Sequence, residues 1–351
     1  MKVVLTMVVQ DEVDIVDSHV AFHLNAGVDH VLVTDNASTD GTAEALEPYV
    51  REGRLTLFRE EGDFRQPEWV TRMARYAATE LGADWVVNSD ADEFWWPRGG
   101  TLKEVLDRVP ARFGCVRGMW RHFAPRPEGP QFFAERMTVR VCDPGTRSVT
   151  AFSPRFKTAH RADPDVVVDS GNHLALSPRL VPIHGWYPID ILHFPIRSLP
   201  QCERKYLRWW ELAQRRGEQP SSFWEAAHEA HLRGRMSEFY ESHVVDDVAL
   251  ARGSAEGTLA LDVRLREAFE RIRAGGEPDF ATPGSDASYV SELAALDGSA
   301  PLERALRKLD ALESRVDELE TTLGPRVQRR ARPLAGHLRR RPRTAEARPA
   351  P

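Results

Sequence analysis

The stretch "WVVNSDADEFWWP", residues 85–97, combines the pattern of a buried strand with a cluster of acidic side chains. Its apolar first half ends at Asp90, Asp92 and Glu93, and the aromatic residues 94–96 follow directly. Carboxylates packed this closely repel one another, and burying them costs free energy unless a cation or hydrogen-bond donors compensate. A solvated turn would not need two tryptophans behind it. The stretch therefore predicts a metal site at the end of a strand, or else an unusually apolar surface loop.

This strand is the fourth in an alternating series of strands and helices that starts at the N-terminus. Such alternation is typical of an α/β domain with a doubly wound sheet, in which ligands bind at the carboxyl ends of the strands. Beyond residue 113 the pattern loosens into short strands and loops, and residues 199–235 are predicted to be helical and aromatic. The apolar pattern predicts strands over 3–9, 28–35, 54–58 and 83–90, and helices over 14–26, from about 42, and over 67–81.

The length, cysteine content and apolar runs of the chain limit its number of domains and its expected location. The chain has 351 residues, of which 42% are hydrophobic, enough for one large domain with an appendage or for two domains. Its three cysteines are not closely paired, which argues against a disulfide framework and fits a reducing compartment. The N-terminal apolar run is too short for a secretory signal, and no run approaches the roughly 18 apolar residues of a membrane span. We therefore expect a soluble, cytoplasmic protein, at most peripheral to the inner face of a membrane.

The C-terminal part adds a helix pattern and a basic tail. Apolar residues recur in threes and fours from Leu302 to Leu323, as the a and d positions of a coiled coil do, which predicts a homodimer or a helix packed back on its own domain. Residues 325–351 contain nine Arg and one Glu, a net charge of +8, so residues 1–324 carry −14 within the total of −6. An acidic body with a basic tail is not typical of a nucleic-acid-binding domain. We expect the tail to be disordered, with an anionic membrane surface as its candidate partner.

These patterns predict four parts of the chain. They are an α/β domain over residues 1–245, a helical or linker extension over 246–300, a short coiled-coil helix over 301–324 and a disordered Arg-rich tail over 325–351. The motifs that suggest chemistry all lie in the first part.

Asp90 and Asp92 are two residues apart, a spacing that suggests a site for a metal ion. Side chains alternate along an extended backbone, so both carboxylates point to the same side and can hold a hard divalent cation. Alone, this spacing is weak evidence, because solvated acidic turns contain it by chance. A second polar loop, "TDNASTDGT", ends the second predicted strand and brings Asp35 to the same edge of the sheet. Asn36 and Asp40 of that loop also fit a helix N-cap with Asx turns.

Three ordered motifs make the chain resemble family-2-type glycosyltransferases with the GT-A fold. They are "HLNAGVDHVLVTDNASTDGT", "ADWVVNSDADEF" and "ILHFPIRSLPQCERKYL", and the likeness covers about residues 1–206. It is closest to the branch grouped with family 92, which shows a His-Leu, a D-N-x-S-x-D-G-T loop, a D-x-D-E-F and a later His, Arg/Lys-Ser and Lys. Two departures are Gln10-Asp11-Glu12, where Asn-Glu is usual, and Cys202 in the last spacer. The resemblance implies a GT-A-type doubly wound mixed sheet flanked by helices.

The implied activity is the transfer of a sugar from a nucleotide-diphosphate donor, expected to be a UDP-sugar, to a hydroxyl of a glycan or lipid-linked glycan, with inversion. A Mn²⁺ or Mg²⁺ ion held by Asp92 would stabilise the leaving diphosphate, with Asp90 on the ribose or on a metal-bound water. His193 is implied as a further metal ligand, and a hydrogen-bonded core histidine is the alternative. Trp95 and Trp96 would wall the site off from water or receive the acceptor.

Further residues are implied in donor binding. Asp35 is placed to accept hydrogen bonds from the nucleobase or ribose. Arg197 and Lys205 would neutralise phosphates, and a surface position is the alternative for both. His19 and His23 lie four residues apart on a predicted helix, but without a third ligand this spacing indicates a structural role.

Inverting transfer also needs a general base near the acceptor hydroxyl. We favour Asp169, because "VVVDSGNH" places it at the end of an apolar strand. The alternative is that Asp169 caps the turn before Gly171. The other candidates are Glu135, His173 and Asp190.

Two other classes of protein share parts of this pattern. Haloacid-dehalogenase-type phosphatases also have an Asp pair after a strand, but they carry Thr or Val where Phe94 stands here, and they would leave the "TDNASTDGT" loop unexplained. A non-catalytic GT-A-like scaffold could assemble through the coiled coil. The intact Asp90 and Asp92 argue against the scaffold.

Overall fold

The computed structural model describes residues 1–142, 156–184 and 186–280. The first elements are β1 (Val3–Val9), α1 (Val16–Asn25), β2 (His30–Asp35), α2 (Thr42–Arg51), β3 (Leu55–Arg59), α3 (Gln66–Thr79), β4 (Trp85–Asp90), β5 (Glu93–Pro97) and α4 (Leu102–Asp107). The next are β6 (Cys115–His122), α5 (Phe133–Arg136), β7 (Val139–Val141), β8 (Phe156–Arg161), β9 (Val167–Val168), β10 (Ala175–Leu176) and β11 (Ile189–His193). The last are α6 (Leu199–Arg216), α7 (Ser222–Leu232), α8 (Met236–Glu241), α9 (Asp247–Glu256), β12 (Leu259–Leu261) and α10 (Arg264–Arg273).

Eight of the strands form one mixed sheet in the order β3-β2-β1-β4-β8-β6-β11-β5. The four strands β1 to β4 pair in parallel, and β11 is parallel to β6. Strands β8 and β5 run antiparallel to their neighbours. With helices packed on this sheet, the structure confirms the predicted α/β class with a mixed sheet flanked by helices.

The centre of the sheet is apolar on both faces, which explains why these segments form strands. All seven residues of β1 are buried, as expected for a parallel strand covered by helices on both sides. Helix α3 covers one face with Trp69, Val70 and Met73. Pro67 lies in its first turn, where a missing N–H costs nothing. Gly27, just after α1, has φ +103°, a conformation that favours glycine.

The aromatic residues of β5 belong to the core. Trp95 and Trp96 are 0% and 5% exposed, and the ring of Trp96 packs against Phe22 and Phe280. The expectation that these two tryptophans wall off the site or receive the acceptor is wrong. Because β5 is held between β11 and the helical layer, its side chains are used for packing.

His19 and His23 join α1 to the sheet, in agreement with their predicted structural role. Nδ1 of His23 donates to the carbonyl of His19 at 2.7 Å, and its Nε2 accepts from the N–H of Trp95 at 3.1 Å. Nε2 of His19 lies 3.1 Å from Oγ of Ser89. The strand that carries the acidic cluster is therefore fixed from the helical side.

The chain after α8 continues to contact the body. β12 pairs antiparallel with β7, and α10 packs against α1 and α5. The predicted coiled coil over 301–324 and the tail over 325–351 lie outside the described residues. No helix in the described ranges has the length and apolar character needed to cross a membrane.

Candidate functional site

The acidic motif lies in the tight connection between β4 and β5, at one edge of the sheet. Asp90 is the last residue of β4, Asp92 lies in the turn, and Glu93 begins β5. Glu93 faces His193 across the β5–β11 ladder, and the N–H of Phe194 donates to the carbonyl of Asp92 at 2.9 Å. Strand pairing thus brings together the three residues predicted as metal ligands.

A cleft of about 460 Å³ opens at this edge. Its polar wall contains the two aspartates of the motif, two lysines, Lys157 and Lys205, and His193. Aromatic side chains supply much of the remaining surface: Phe64, Trp120, Trp209, Phe223 and Trp224. A cleft of this size that combines apolar walls with a few convergent charges is typical of a small-molecule site.

Both carboxylate oxygens of Asp90 are engaged by the protein. Oδ2 accepts from Nζ of Lys157 at 2.5 Å, while Oδ1 accepts from Nε2 of Gln66 at 2.8 Å and from Nδ2 of Asn172 at 3.0 Å. The Lys157 side chain is only 1% exposed. Asp90 therefore ties β8, α3 and the 170–172 turn to the end of β4. Three of the roughly four acceptor positions of the carboxylate are thus used within the protein.

Glu93 is completely buried and shares Lys157 with Asp90. Its Oε1 accepts from Nε1 of Trp120 at 2.7 Å and lies 3.0 Å from Nζ of Lys157. Burial raises the pKa of Glu93 to about 8, although Lys157 opposes the shift. Burial alone would lower the pKa of Lys157, but the carboxylates of Asp90 and Glu93 raise it. Lys157 is therefore a permanent cation beneath the cleft.

Asp92 pairs with the second lysine. Its Oδ2 accepts from Nζ of Lys205, on α6, and lies 3.6 Å from Nε2 of His193. Burial alone would raise the pKa of Asp92, but Lys205 and His193 hold it well below its usual range. Asp92 is therefore a carboxylate at neutral pH, and each aspartate of the motif has its own lysine.

His193 is held in place by other rings. It stacks on Trp120 with 4.6 Å between ring centroids, and its Nδ1 lies 2.9 Å from Nδ1 of His122. Burial lowers the pKa of His193, although Asp92 opposes the shift. A largely neutral imidazole with Nε2 directed at a carboxylate is suited to metal ligation.

Asp92 and His193 are the pair that fits a divalent metal. In the ranges that the structure describes, no group of three or more His, Cys, Asp or Glu side chains is arranged to hold a metal ion. Ions such as Mg²⁺ are commonly bound through one or two protein groups, with water and substrate phosphates as the other ligands. The pair therefore fits a metal bound together with a diphosphate. Lys205, on the same oxygen of Asp92, would have to move.

Arg197 lies behind the cleft in a cluster of carboxylates. Its guanidinium is 1% exposed, with Nε 2.6 Å from Oδ2 of Asp14 and Nη2 2.5 Å from Oε2 of Glu12. These bonds join the loop after β1 to the residues just before α6. Arg197 does not line the cleft, and its predicted contact with phosphate stays a prediction.

Asp35 reaches the same edge of the sheet, as predicted, but its carboxylate is used within its own loop. Oδ1 accepts from the hydroxyl of Ser38 at 2.5 Å and from its N–H at 3.2 Å. Asp40 accepts from the N–H of Thr42, at the start of α2, at 3.0 Å. These bonds match the Asx-turn interpretation of the loop. Contact between Asp35 and a nucleotide stays a prediction.

Two of the candidate bases lie away from the cleft and are paired with arginines. Glu135 pairs with Arg273 at 2.5 Å. Asp190 lies at the opposite end of β11 from His193, with Arg121 and Arg264 at 3.0 Å each. Neither carboxylate lines the cleft.

The other two candidates, Asp169 and His173, belong to one turn after β9. Oδ1 of Asp169 accepts from the N–H of Leu174 at 2.7 Å, which corresponds to the predicted alternative of a turn cap. Burial raises the pKa of Asp169. Of the four candidates, His173 is the one that lines the cleft.

Several residues around the acidic motif were not predicted from the sequence. Lys157 left only a weak signal, since it is one of two charged residues, with Arg161, in the short strand "FKTAHR". Gln66 and Asn172 bind Asp90 from distant positions in the chain, and nothing in their surroundings indicates this. The aromatic character of residues 199–235 was recognised, but the sequence did not show that Trp209 and Trp224 face the acidic motif.

A comparison with protein families gives a match to part of the chain. Residues 15–131 match the family model Glycosyl transferase family 2, which is about a third of the chain. No curated protein matches the chain closely in sequence.

Among solved structures, Staphylococcus aureus TarS (residues 1–349) is 13% identical, with 59% of this chain and 65% of TarS covered, at a TM-score of 0.31. GalNAc-T7, solved with UDP, GalNAc and Mn²⁺, is 14% identical over 60% of this chain and 48% of its own, at a TM-score of 0.34. Glucosyl-3-phosphoglycerate synthase from Mycobacterium tuberculosis is 17% identical over 36% and 44%, at a TM-score of 0.24. The chain thus spans less than two thirds of the length of each of these proteins. Its sequence similarity to a family lies in residues 15–131, and that family is glycosyl transferase family 2.

Proposed function

We propose that the chain is a nucleotide-sugar-dependent glycosyltransferase whose donor binds in the cleft at the β4–β5 turn. The observation that carries the proposal is the pairing of Asp90 with Lys157 and of Asp92 with Lys205 at the carboxyl edge of the sheet. Breaking the bond between a sugar and a diphosphate leaves negative charge on the diphosphate, which fixed cations stabilise. The match of residues 15–131 to glycosyl transferase family 2 supports this class of reaction.

Lys205 is the residue that would respond to the donor. Its side chain is 18% exposed and its Nζ is bound to Asp92, so it can exchange that carboxylate for a phosphate oxygen. Asp92 and His193 would then be available to Mn²⁺ or Mg²⁺, which supplies electrostatic stabilisation of the leaving diphosphate when bound. Lys157 is buried and would contribute a fixed positive charge beneath the donor.

The finer parts of the proposal extend the sequence resemblance. They are a UDP-sugar as donor, Asp35 as the contact to its nucleobase or ribose, and Arg197 as a further phosphate-binding residue. They also include an acceptor that is a glycan or lipid-linked glycan, inversion at the anomeric carbon, and membership of the branch grouped with family 92.

The proposal also covers where the enzyme works and with what partners. We propose cytoplasmic activity close to an anionic membrane surface, with the Arg-rich tail over 325–351 as the attachment and a homodimer formed through residues 301–324. Nucleic acid is not proposed as a partner, because the net charge of −14 on residues 1–324 opposes close approach to a duplex.

A donor panel tests the proposed function. The full chain is incubated with UDP-, GDP- and dTDP-sugars, with Mn²⁺, Mg²⁺ or EDTA, and thermal shift and release of nucleotide are measured. We expect one nucleotide class to stabilise the protein and to be hydrolysed slowly in the absence of acceptor. Stabilisation without any turnover would favour the non-catalytic scaffold. Hydrolysis of phosphate monoesters instead would favour the phosphatase, which the family match does not support.

A further inference from the structure

The hydrogen bonds of His173 fix which of its ring nitrogens carries a proton. Nδ1 lies 2.7 Å from the backbone carbonyl of Phe156. A carbonyl oxygen can only accept, so Nδ1 must donate. In the neutral imidazole the lone pair is then on Nε2. His173 therefore has the tautomer that a general base requires.

Nε2 of His173 packs against the backbone of Gly171. A Cβ atom at Gly171 would lie 2.8 Å from Nε2, so a side chain at this position would displace the imidazole. Gly171 also has φ +77°, which favours glycine. Both residues line the cleft. The turn thus holds the basic nitrogen against a stretch of bare backbone at the cleft wall.

Hydrogen bonds link the turn that carries His173 to the acidic motif in two ways. Its neighbour Asn172 donates to Asp90 at 3.0 Å. On β8, the hydroxyl of Thr158 donates to the carbonyl of His173 at 2.6 Å, and the adjacent Lys157 is bound to Asp90. The imidazole position is therefore set by the same residues that hold the motif.

Trp120 contacts both His173 and His193, one of the two residues that fit a metal ion. One face of its indole stacks on His193 at 4.6 Å, while His173 meets it edge-on at 5.7 Å. His173 is thus separated from His193 by a single aromatic ring. All three side chains line the same cleft as Asp92.

We infer that His173 is the catalytic base that activates the acceptor hydroxyl, an inference that rests on the proposed function. Nε2 takes the proton as the acceptor oxygen forms its bond to the anomeric carbon. The bond from that carbon to the diphosphate breaks, and the electron pair leaves with the diphosphate. Attack from the face opposite the leaving group inverts the configuration. Asp169, which the sequence favoured as base, would instead position the turn.

The test uses the full chain and the sugar nucleotide that the wild type hydrolyses fastest in the donor panel, with water as the probe acceptor. We compare His173→Ala and His173→Gln with Asp169→Asn and with a control, His243→Ala. His243 shares the hydrogen-bonding pattern, with Nδ1 2.7 Å from the carbonyl of Phe239, but lies outside the cleft lining. Rates are measured with and without added imidazole, and nucleotide affinity is measured by titration.

We expect both His173 variants to lose about 100-fold or more in rate, the range typical of general base catalysis, with nucleotide affinity within about threefold of wild type. Imidazole should restore part of the rate of His173→Ala and leave His243→Ala and Asp169→Asn unchanged. Near-wild-type rates in the His173 variants, or a loss that imidazole does not reverse, would overturn the inference. Loss of rate in Asp169→Asn alone would return the role to Asp169. A wild type that binds no sugar nucleotide would refute the proposed function itself.

Discussion

At the scale of single residues, Asp92 contacts both Lys205 and His193. We propose that the first binds the donor phosphate and the second a metal ion. The carboxylate of Asp92 is held ionised by Lys205 and His193, and we propose that both a metal and the donor diphosphate depend on it. The substitution Asp92→Asn keeps the shape and removes the charge. We expect weaker nucleotide binding that no longer responds to EDTA, measured by titration with and without the chelator.

The matched control for this variant is Asp63→Asn, since the side chain of Asp63 is 73% exposed and lies outside the cleft. It should bind nucleotide and respond to EDTA like wild type. If Asp92→Asn bound and turned over donor like wild type, the assignment of the metal to Asp92 would be wrong.

Lys157 is expected to matter for stability as well as for the donor. It neutralises Asp90 and contacts the buried Glu93, and removing this buried cation leaves the charge of Asp90 uncompensated. We expect Lys157→Met to lower the free energy of unfolding by about 3 kcal/mol, measured by urea unfolding monitored by tryptophan fluorescence.

A half-exposed pair gives the comparison. Lys103 and Asp29 are 37% and 32% exposed and lie 2.5 Å apart, so Lys103→Met should cost about 1 kcal/mol or less. Equal losses in the two variants would show that burial at Lys157 does not decide the energetics of the site.

The residues that the sequence predicted correctly as neighbours are those placed by strand ends. Asp90, Asp92 and His193 meet because β4, β5 and β11 converge at one edge. The periodicity of side chains predicted only the grouping of Asp90 with Asp92, whereas His193 was implied by the family resemblance. The contact of Lys157 with Asp90 could not be predicted, because it forms only when β8 pairs with β4. The buried bonds of Arg197 to Glu12 and Asp14 likewise join positions far apart in the chain, which no local pattern reports.

At the scale of elements, the first half of the fold was predictable and the second was not. β1, α1, β2, α2, β3, α3 and β4 follow one another with short loops and unbroken apolar patterns, and each pairs with or packs on a near neighbour. After β5 the sheet is completed out of order, with β8 inserted next to β4 and β11 next to β5. Such non-local pairing depends on packing that a local pattern does not contain.

The predicted helix over 301–324 is an element with its own test. At about three heptads it is too short to be stable alone in water, so it needs a partner helix or the body of the protein. We expect the full chain to be a dimer and a chain ending at Pro301 to be a monomer, both measured by light scattering. An unchanged oligomeric state would favour a helix packed back on its own domain.

At the scale of the whole molecule, the uneven charge predicts how the protein meets a membrane. A tail with a net charge of +8 gains about 1 kcal/mol per Arg near an anionic leaflet, whereas residues 1–324, at −14, are repelled. We expect salt-sensitive co-sedimentation with phosphatidylserine-containing vesicles that is lost when residues 326–351 are deleted. Donor hydrolysis in solution should not change.

Neutral phosphatidylcholine vesicles provide the control for the tail, since they should retain neither protein. Equal partitioning of the full-length and truncated chains onto anionic vesicles would leave the tail as a solvated end without a membrane role.

The pairing of β5 with β11 has a consequence for synthesis on the ribosome. β5 carries Phe94, Trp95 and Trp96, yet its sheet partner, residues 189–193, is translated much later. Until then the nascent chain presents an unpaired aromatic strand, the kind of segment that chaperones bind and that aggregates when it meets another copy. Release of the chain from a chaperone should therefore coincide with emergence of β11. The order of translation, and not the stability of the finished sheet, would then limit the yield of folded protein.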